Sequence, residues 1–237
     1  MADIDLKRAA IVVAHPDDEV LWFGSLLPRV ARVVLCYGMQ ASGTLRPERG
    51  RVIHHYPRGG IEFFDLVQPG SYRKAIWPNA TLGPFGMALR EPNPAHEQSF
   101  HEIVGRLRVA LDDVTTVFTH NPWGEYGHEE HTLVHAAVNA LKQERKFDLF
   151  VSPYVGREML GLFAQVVAGG VSDVVQFDLD QTLVRAAADL YRGHGAWTWF
   201  DTWKWPRAES FFRLGGTDRL RRQPVGFELI DTPRYEA

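Results

Sequence analysis

The sequence predicts an α/β protein with a mostly parallel sheet flanked by helices, and three observations carry that expectation. Short apolar runs rich in β-branched residues alternate with longer segments of helical periodicity, the pattern of strands joined by crossover helices. The runs are apolar at consecutive positions, as strands buried on both faces require. A chain of 237 residues, 45% hydrophobic and 23% charged, is long enough to bury the core of such a domain.

The elements follow in order. AAIVVA at 9–14 is the first strand, and a helix opening near Asp18 runs to Leu27, stopped by Pro28. RVVLCY at 32–37 is the second strand. Residues 38–94 are rich in Gly, Pro and Arg with weak periodicity, which marks an inserted loop region of the functional kind. Apolar residues at Phe100, Ile103, Val104, Leu107, Val109 and Leu111 predict a helix over 95–111. Strands at 115–119 and 147–152 flank a helix over 131–142, whose stripe is Leu133, Val134, Ala137, Val138 and Leu141. A last strand is expected at 173–179, and a Trp-rich segment occupies about 194–212. With no repeat or linker in view, residues 1–237 read as one domain.

Composition removes several function classes. A formal net charge of −3 gives no basic footprint for nucleic acid. The single cysteine, Cys36, lies in an apolar run and excludes an intramolecular disulfide framework and a cysteine-rich zinc site. The N-terminus MADIDLKRAA is short and acidic for a signal peptide, and no apolar stretch reaches the ~18 residues of a membrane span, so the expected location is the cytoplasm. No GxGxxG follows the first strand, which argues against a dinucleotide site.

Two polar clusters remain. AHPDDE at 14–19 places His15, Pro16, Asp17, Asp18 and Glu19 at the mouth of a buried strand, where adjacent carboxylates repel unless a cation or solvent compensates. HNPWGEYGHEEHTLVH at 120–135 follows another strand and holds four of the ten histidines. Loops at strand carboxyl ends meet in one crevice where a sheet's connections diverge, and imidazoles joined there with carboxylates form a zinc-type site. His15 and Asp18 are three apart across a proline-stiffened turn and suit convergence on one ion. Asp17 then points elsewhere, placed to take a proton from a water. His128 and His131 share the three-residue spacing at a helix entrance, and the HExxH of a thermolysin-like peptidase is absent because Thr132 stands where its second ligand falls. The plain alternative is that His15, Asp17 and Asp18 cap a helix and meet its dipole, and that Glu19, Glu129, His120 and His135 are structural.

AHPDDE after one apolar strand and GHEEH after a later one resemble the PIG-L/LmbE family of zinc-dependent N-deacetylases, which act on N-acetylglucosaminyl compounds and related amides. The resemblance covers about residues 9–152 and implies a Rossmann-like fold. It implies Zn2+ ligands at His15, Asp18 and His131, a general base at Asp17 and an oxyanion-stabilising histidine at His128. Where the family more often carries aspartate just before the last ligand, this chain has Glu130, a candidate to support a ligand from behind. The implied activity is removal of an N-acetyl group from an amino sugar or glycoside. The alternatives are hydrolysis of another amide, such as a thiol conjugate, and a non-catalytic sugar binder.

Substrate contacts are less sharply marked. Arg46, Arg49, Arg51 and Arg58 in the insertion are candidates for sugar or phosphate contacts, or are solvated loop residues. Asn121 and Trp123 are candidates to line the cleft. GAWTWFDTWKWP carries tryptophans at 197, 199, 203 and 205, which in an extended segment share one face with Asp201. That row reads as a sheet-edge seal or dimer contact, leaving a homo-oligomer open, or as a sugar platform using Trp199 and Trp203.

Overall fold

The structure is a computed structural model that describes residues 4–39, 51–52, 55–56, 59–215 and 227–230. Its centre is a seven-stranded sheet of order β3-β2-β1-β6-β7-β10-β9. The strands are β1 (Ala9–Val13), β2 (Arg32–Met39), β3 (Ile61–Val67), β6 (Thr116–Thr119), β7 (Asp148–Val151), β9 (Val171–Asp178) and β10 (Ala208–Leu214). Between them lie the short pairs β4 (Leu82–Gly83) with β5 (Gly86–Met87) and β8 (Tyr154–Gly156) with β11 (Glu228–Ile230). Five neighbouring strands, β3 to β7 across the sheet, run parallel, and β10 is antiparallel to both β7 and β9.

The period of a strand explains the layers. Odd residues of β1 (Ala9, Ile11, Val13) enter one apolar cluster with Val20, Trp22 and Phe23, and even residues (Ala10, Val12) enter a second cluster with Ile103, Leu107 and Val134. The helices are α1 (Asp18–Trp22), α2 (Pro94–Ala110), α3 (Glu129–Glu144), α4 (Leu160–Val167) and α5 (Gln181–Gly193). Asn93 caps α2 by accepting from the His96 N–H, with Pro94 at the first helical position. Asp180 caps α5 through the N–H groups of Thr182 and Leu183. Among the described residues no helix is long and apolar enough to cross a membrane.

Three expectations need correction. The first helix ends at Trp22 rather than Leu27, because the chain turns at Phe23 and a Cβ on Gly24 would lie 2.6 Å from the Val184 side chain. The insertion is not loop throughout: it contributes β3 to the sheet, and its β4–β5 hairpin packs on α3. There Gly86, at φ +101, allows contact too close for a side chain, since a Cβ would sit 2.6 Å from the Thr132 carbonyl carbon. The tryptophan row is not extended, because a turn at Asp201–Thr202, closed by the Trp203 N–H on the Phe200 carbonyl, breaks its alternation.

All four of those indoles are half-buried against the first cluster. Trp199 and Trp203 meet Trp22 edge-on at ring-centre distances of 5.2 and 5.5 Å. Trp205 donates its indole N–H to the Val20 carbonyl at 2.8 Å. Trp203→Ala is therefore expected to lower stability by about 2–3 kcal/mol, somewhat less than the ~3–5 of a fully buried aromatic. Urea denaturation measures it, and a loss below about 0.5 kcal/mol would mean that the ring does not pack as described.

Candidate active site

The site forms where the chain changes direction in the sheet. From β1 it proceeds to β2 and β3 on one side, then returns to place β6 on the other, so the loops after β1 and β6 open onto one crevice. The loop after β1 carries His15 and Asp17 and leads into Asp18 at the start of α1, and the loop after β6 carries His120, Glu125 and His128 and leads into His131 in the first turn of α3. All seven are buried.

Local geometry sets the first loop. The Ala14 N–H donates to His120 Nε2 at 2.9 Å, tying the two loops together. The His15 N–H donates to Asp18 Oδ2 at 2.7 Å, and Asp18 Oδ1 accepts the Trp22 indole N–H at 3.1 Å. Asp17, between them, adopts φ 95 in the left-handed region. The second loop turns through Gly124 at φ 67, Glu125 at φ 53 and Gly127 at φ 96, then enters α3 with His128 as its cap.

The donor atoms converge. Asp18 lies 3.2 Å from His15 Nδ1 through Oδ2 and 3.4 Å from His131 Nε2 through Oδ1. Two trios have ligand atoms all within 4.8 Å of one another, His15 with His128 and His131, and Asp18 with His120 and His131. His131 belongs to both. Its Nδ1 is 2.8 Å from Glu125 Oε2, which places the ring proton there, while the buried Nε2 has no hydrogen-bond partner. A bare imidazole lone pair backed by a carboxylate is the arrangement of a metal-ligating histidine. His120 differs, because the Ala14 N–H occupies its Nε2. His128 differs too, since its Nδ1 accepts the Glu130 N–H at 3.2 Å. His15 has Glu130 Oε2 at 2.8 Å from Nε2, which leaves Nδ1 on the Asp18 side. The residues therefore fit a divalent cation: the two trios share His131 and between them offer nitrogen from His15, His120 and His128 and oxygen from Asp18.

Charge follows the same contacts. Burial opposes a charge on Glu125, but the imidazoles of His120 and His131 outweigh it and hold the carboxyl down to about 2. Burial likewise opposes charge on Asp18, and His131, His120 and His15 hold it well below the usual carboxylate range. Burial drives His128 well below the usual imidazole range, with His131 and His15 adding to the effect. A neutral His128 whose Nδ1 is an acceptor carries its proton on Nε2, a donor for developing negative charge.

The other expected residues separate. Glu130 lies behind His15, as described. Asn121 and Trp123 do not line the cleft, which corrects the expectation for both. Asn121 spends its amide on Ser152 and the Tyr154 carbonyl, and Trp123 is fully buried with its indole N–H on that carbonyl at 2.8 Å. Trp199 lies tilted against Tyr126 at 4.9 Å, and Trp203 meets Trp22, Tyr154 and Trp199. Arg46, Arg49 and Arg58 lie outside the described residues.

Three neighbours were not anticipated. Glu125 fixes both histidines, and the glycine before it was the signal that an unusual backbone turn lay there. Tyr126 faces His128 and His131 at 5.8 and 5.6 Å. Tyr72 stacks on His128 at 4.4 Å while remaining 43% exposed at the mouth. Its loop is fastened by Glu129, which accepts the N–H groups of Arg73 and Ala75.

No family model matches the chain. It is 26% identical over 179 residues to a 1D-myo-inositol 2-acetamido-2-deoxy-alpha-D-glucopyranoside deacetylase of Corynebacterium kroppenstedtii, covering 66% of this chain and 46% of that protein. It is 26% identical over 170 residues to the deacetylase of the same name from Mycobacteroides abscessus, covering 60% and 58%. The chain thus spans about half the length of the curated relatives it matches. Its fold is that of a deacetylase solved with teicoplanin, with TM-score 0.54, 15% identity, and coverage of 89% of this chain and 99% of that one. A zinc-inhibited form of teicoplanin deacetylase Orf2 aligns with TM-score 0.50 at 15% identity, covering 80% and 84%.

Ion binding tests the donor geometry directly. After chelation and reloading, the parental protein is expected to hold about one divalent ion, and His131→Ala to lose most of it. Glu125→Gln is expected to bind about 10–100-fold more weakly, as when a ligand histidine loses its carboxylate. Elemental analysis and metal titration report both, and full occupancy in His131→Ala would remove that residue from the donor set.

Proposed function

We propose that this chain is a zinc-dependent N-deacetylase of the PIG-L/LmbE type, acting on an N-acetylated amino sugar or a glycoside that carries one. The observation that carries the reading is the buried, unpartnered His131 Nε2 facing Asp18, with Asp17 next in the chain. The curated relatives, named as deacetylases of a 2-acetamido-2-deoxyglucoside, support the reaction and the class of substrate.

Each residue has a separate task in this mechanism. His15, Asp18 and His131 would hold Zn2+, which when bound supplies Lewis-acid polarisation of an amide carbonyl and acidifies a water. Asp17 takes the proton from the attacking water and returns it to the departing amine, a carboxylate's work in general acid–base catalysis. His128 donates from Nε2 to the oxyanion of the tetrahedral intermediate. Glu125 and Glu130 keep the rings of His131 and His15 turned toward the site. Trp199, beside Tyr126, offers a flat apolar surface for a sugar ring, and Trp203 extends it behind.

Acetate release from a panel of N-acetylated amino sugars, with zinc present, tests the activity. At least one glucosamine derivative is expected to be turned over, and a parental protein inactive on the whole panel would end this reading. Asp17→Asn is expected to keep its zinc while losing about 10²–10⁴-fold in kcat, the usual span for a general base. If that variant turned over at nearly the parental rate, another group would have to handle the proton.

A further inference from the structure

We propose that Thr198 is a positioning residue for Asp17, so that the Trp-rich segment sets the geometry of the base. The proposal rests on the deacetylase reading for what Asp17 does, and on separate observations for how Asp17 is held.

Asp17 is a strained residue. At φ 95 and ψ −22 it occupies backbone space that a side chain disfavours, a conformation that persists only where surroundings enforce it. Two contacts enforce it. The Asp17 N–H donates to Glu19 Oε2 at 3.0 Å, which pins the backbone. Asp17 Oδ2 accepts both the Thr198 N–H, at 2.8 Å, and the Thr198 hydroxyl, at 2.7 Å, which pins the carboxylate. Two donors from one residue on one oxygen restrict the carboxylate's rotation about its Cβ–Cγ bond more than either alone.

Thr198 arrives from 181 residues along the chain, and its position does not depend on Asp17 alone. On one side the Ala196 N–H bonds the Tyr191 carbonyl at the end of α5. On the other, Trp199 and Trp203 close edge-on against Trp22, and Trp205 bonds the Val20 carbonyl. The segment is thus fastened to α5 on one flank of Thr198 and to α1 on the other. The residue is itself exposed, yet its hydroxyl turns inward to a carboxylate that is 1% exposed. A base must be held within about 0.5 Å of its working position.

The test compares Thr198→Val, which keeps the shape and the backbone N–H but removes the hydroxyl, with Thr198→Ser, which restores the hydroxyl. On a substrate turned over by the parental protein, Thr198→Val is expected to lower kcat by about 10–100-fold, the worth of one hydrogen bond to a charged group. KM, zinc content and melting temperature should stay at parental values, and Thr198→Ser should recover kcat to within about threefold. A Thr198→Val kcat within about twofold of parental, or an equal fall in Thr198→Ser, would overturn the proposal. Crystal structures provide a readout free of activity: the Asp17 carboxylate should occupy more than one rotamer in Thr198→Val, and a single parental position would overturn the proposal. If the parental protein hydrolysed no substrate, the deacetylase reading would fail, while the crystal comparison would still decide whether Thr198 holds Asp17.

Discussion

One buried carboxylate, Glu125, fixes the arrangement on which the rest of the site depends. It lies fully out of solvent, where an isolated charge would cost several kcal/mol, so it exists only because every direction around it supplies a donor. His120 and His131 bring ring nitrogens to Oε2, and the Asn121 N–H and the Ser152 hydroxyl come to Oε1. These partners come from the loop after β6, from α3 and from the end of β7. By satisfying Glu125 they lock two tautomers at once. His120 then has an acceptor nitrogen for the Ala14 N–H, and His131 has a bare lone pair in the crevice. The same interaction therefore joins two strand ends and leaves free the nitrogen that we propose holds the metal.

The sheet made this economical. Two loops leaving adjacent parallel strands in opposite directions meet without any long excursion, which is why so many buried polar groups can find partners within a few residues of β1 and β6. The insertion and the Trp-rich segment then close the crevice from outside. Glu129 ties the loop carrying Tyr72 to the start of α3, and Trp22 anchors the tryptophans to α1. Both fastenings use residues within about one helical turn of the proposed ligands, so packing and chemistry share the first turns of α1 and α3.

What the sequence made legible follows from how local each signal is. β1, β2, β6 and β7 were readable because short runs of apolar and β-branched residues have few other uses, and α2 and α3 because their stripes repeat over several turns. β3 was hidden: IEFFDLV is half-exposed, and Asp65 sits at positive φ where its pairing with β2 shifts register. β10 was hidden because its antiparallel pairing with β7 and β9 is set by distant strands. The His-Pro-Asp-Asp-Glu run announced itself, since adjacent acids after a buried strand demand an explanation. Glu125 did not, because its role depends on a left-handed turn and on Ser152 in another strand. The tryptophan spacing misled for a related reason: a period of two is a strand's signature only while the chain stays extended, and the turn at Asp201–Thr202 ends that condition.

The three adjacent acids also show how one short stretch avoids its own repulsion. Each meets a different environment, because Asp17 leaves the chain at a left-handed turn and α1 then sets Asp18 and Glu19 about 100° apart. Asp18 accepts the His15 backbone N–H and the Trp22 indole N–H and lies against three imidazoles, which hold it well below the usual carboxylate range. Asp17 faces Thr198. Glu19 points the other way, into the packing of α5, where it accepts hydroxyls from Tyr56 and Tyr191. Burial, with the neighbouring Asp17 adding its repulsion, raises Glu19 to about 8, so at neutral pH it is mostly protonated. Of the three, then, Glu19 gives up its charge and becomes a structural hydrogen-bonding group. The three neighbouring carboxyl groups thus lie against three separate sets of partners, which is how one short stretch holds them side by side.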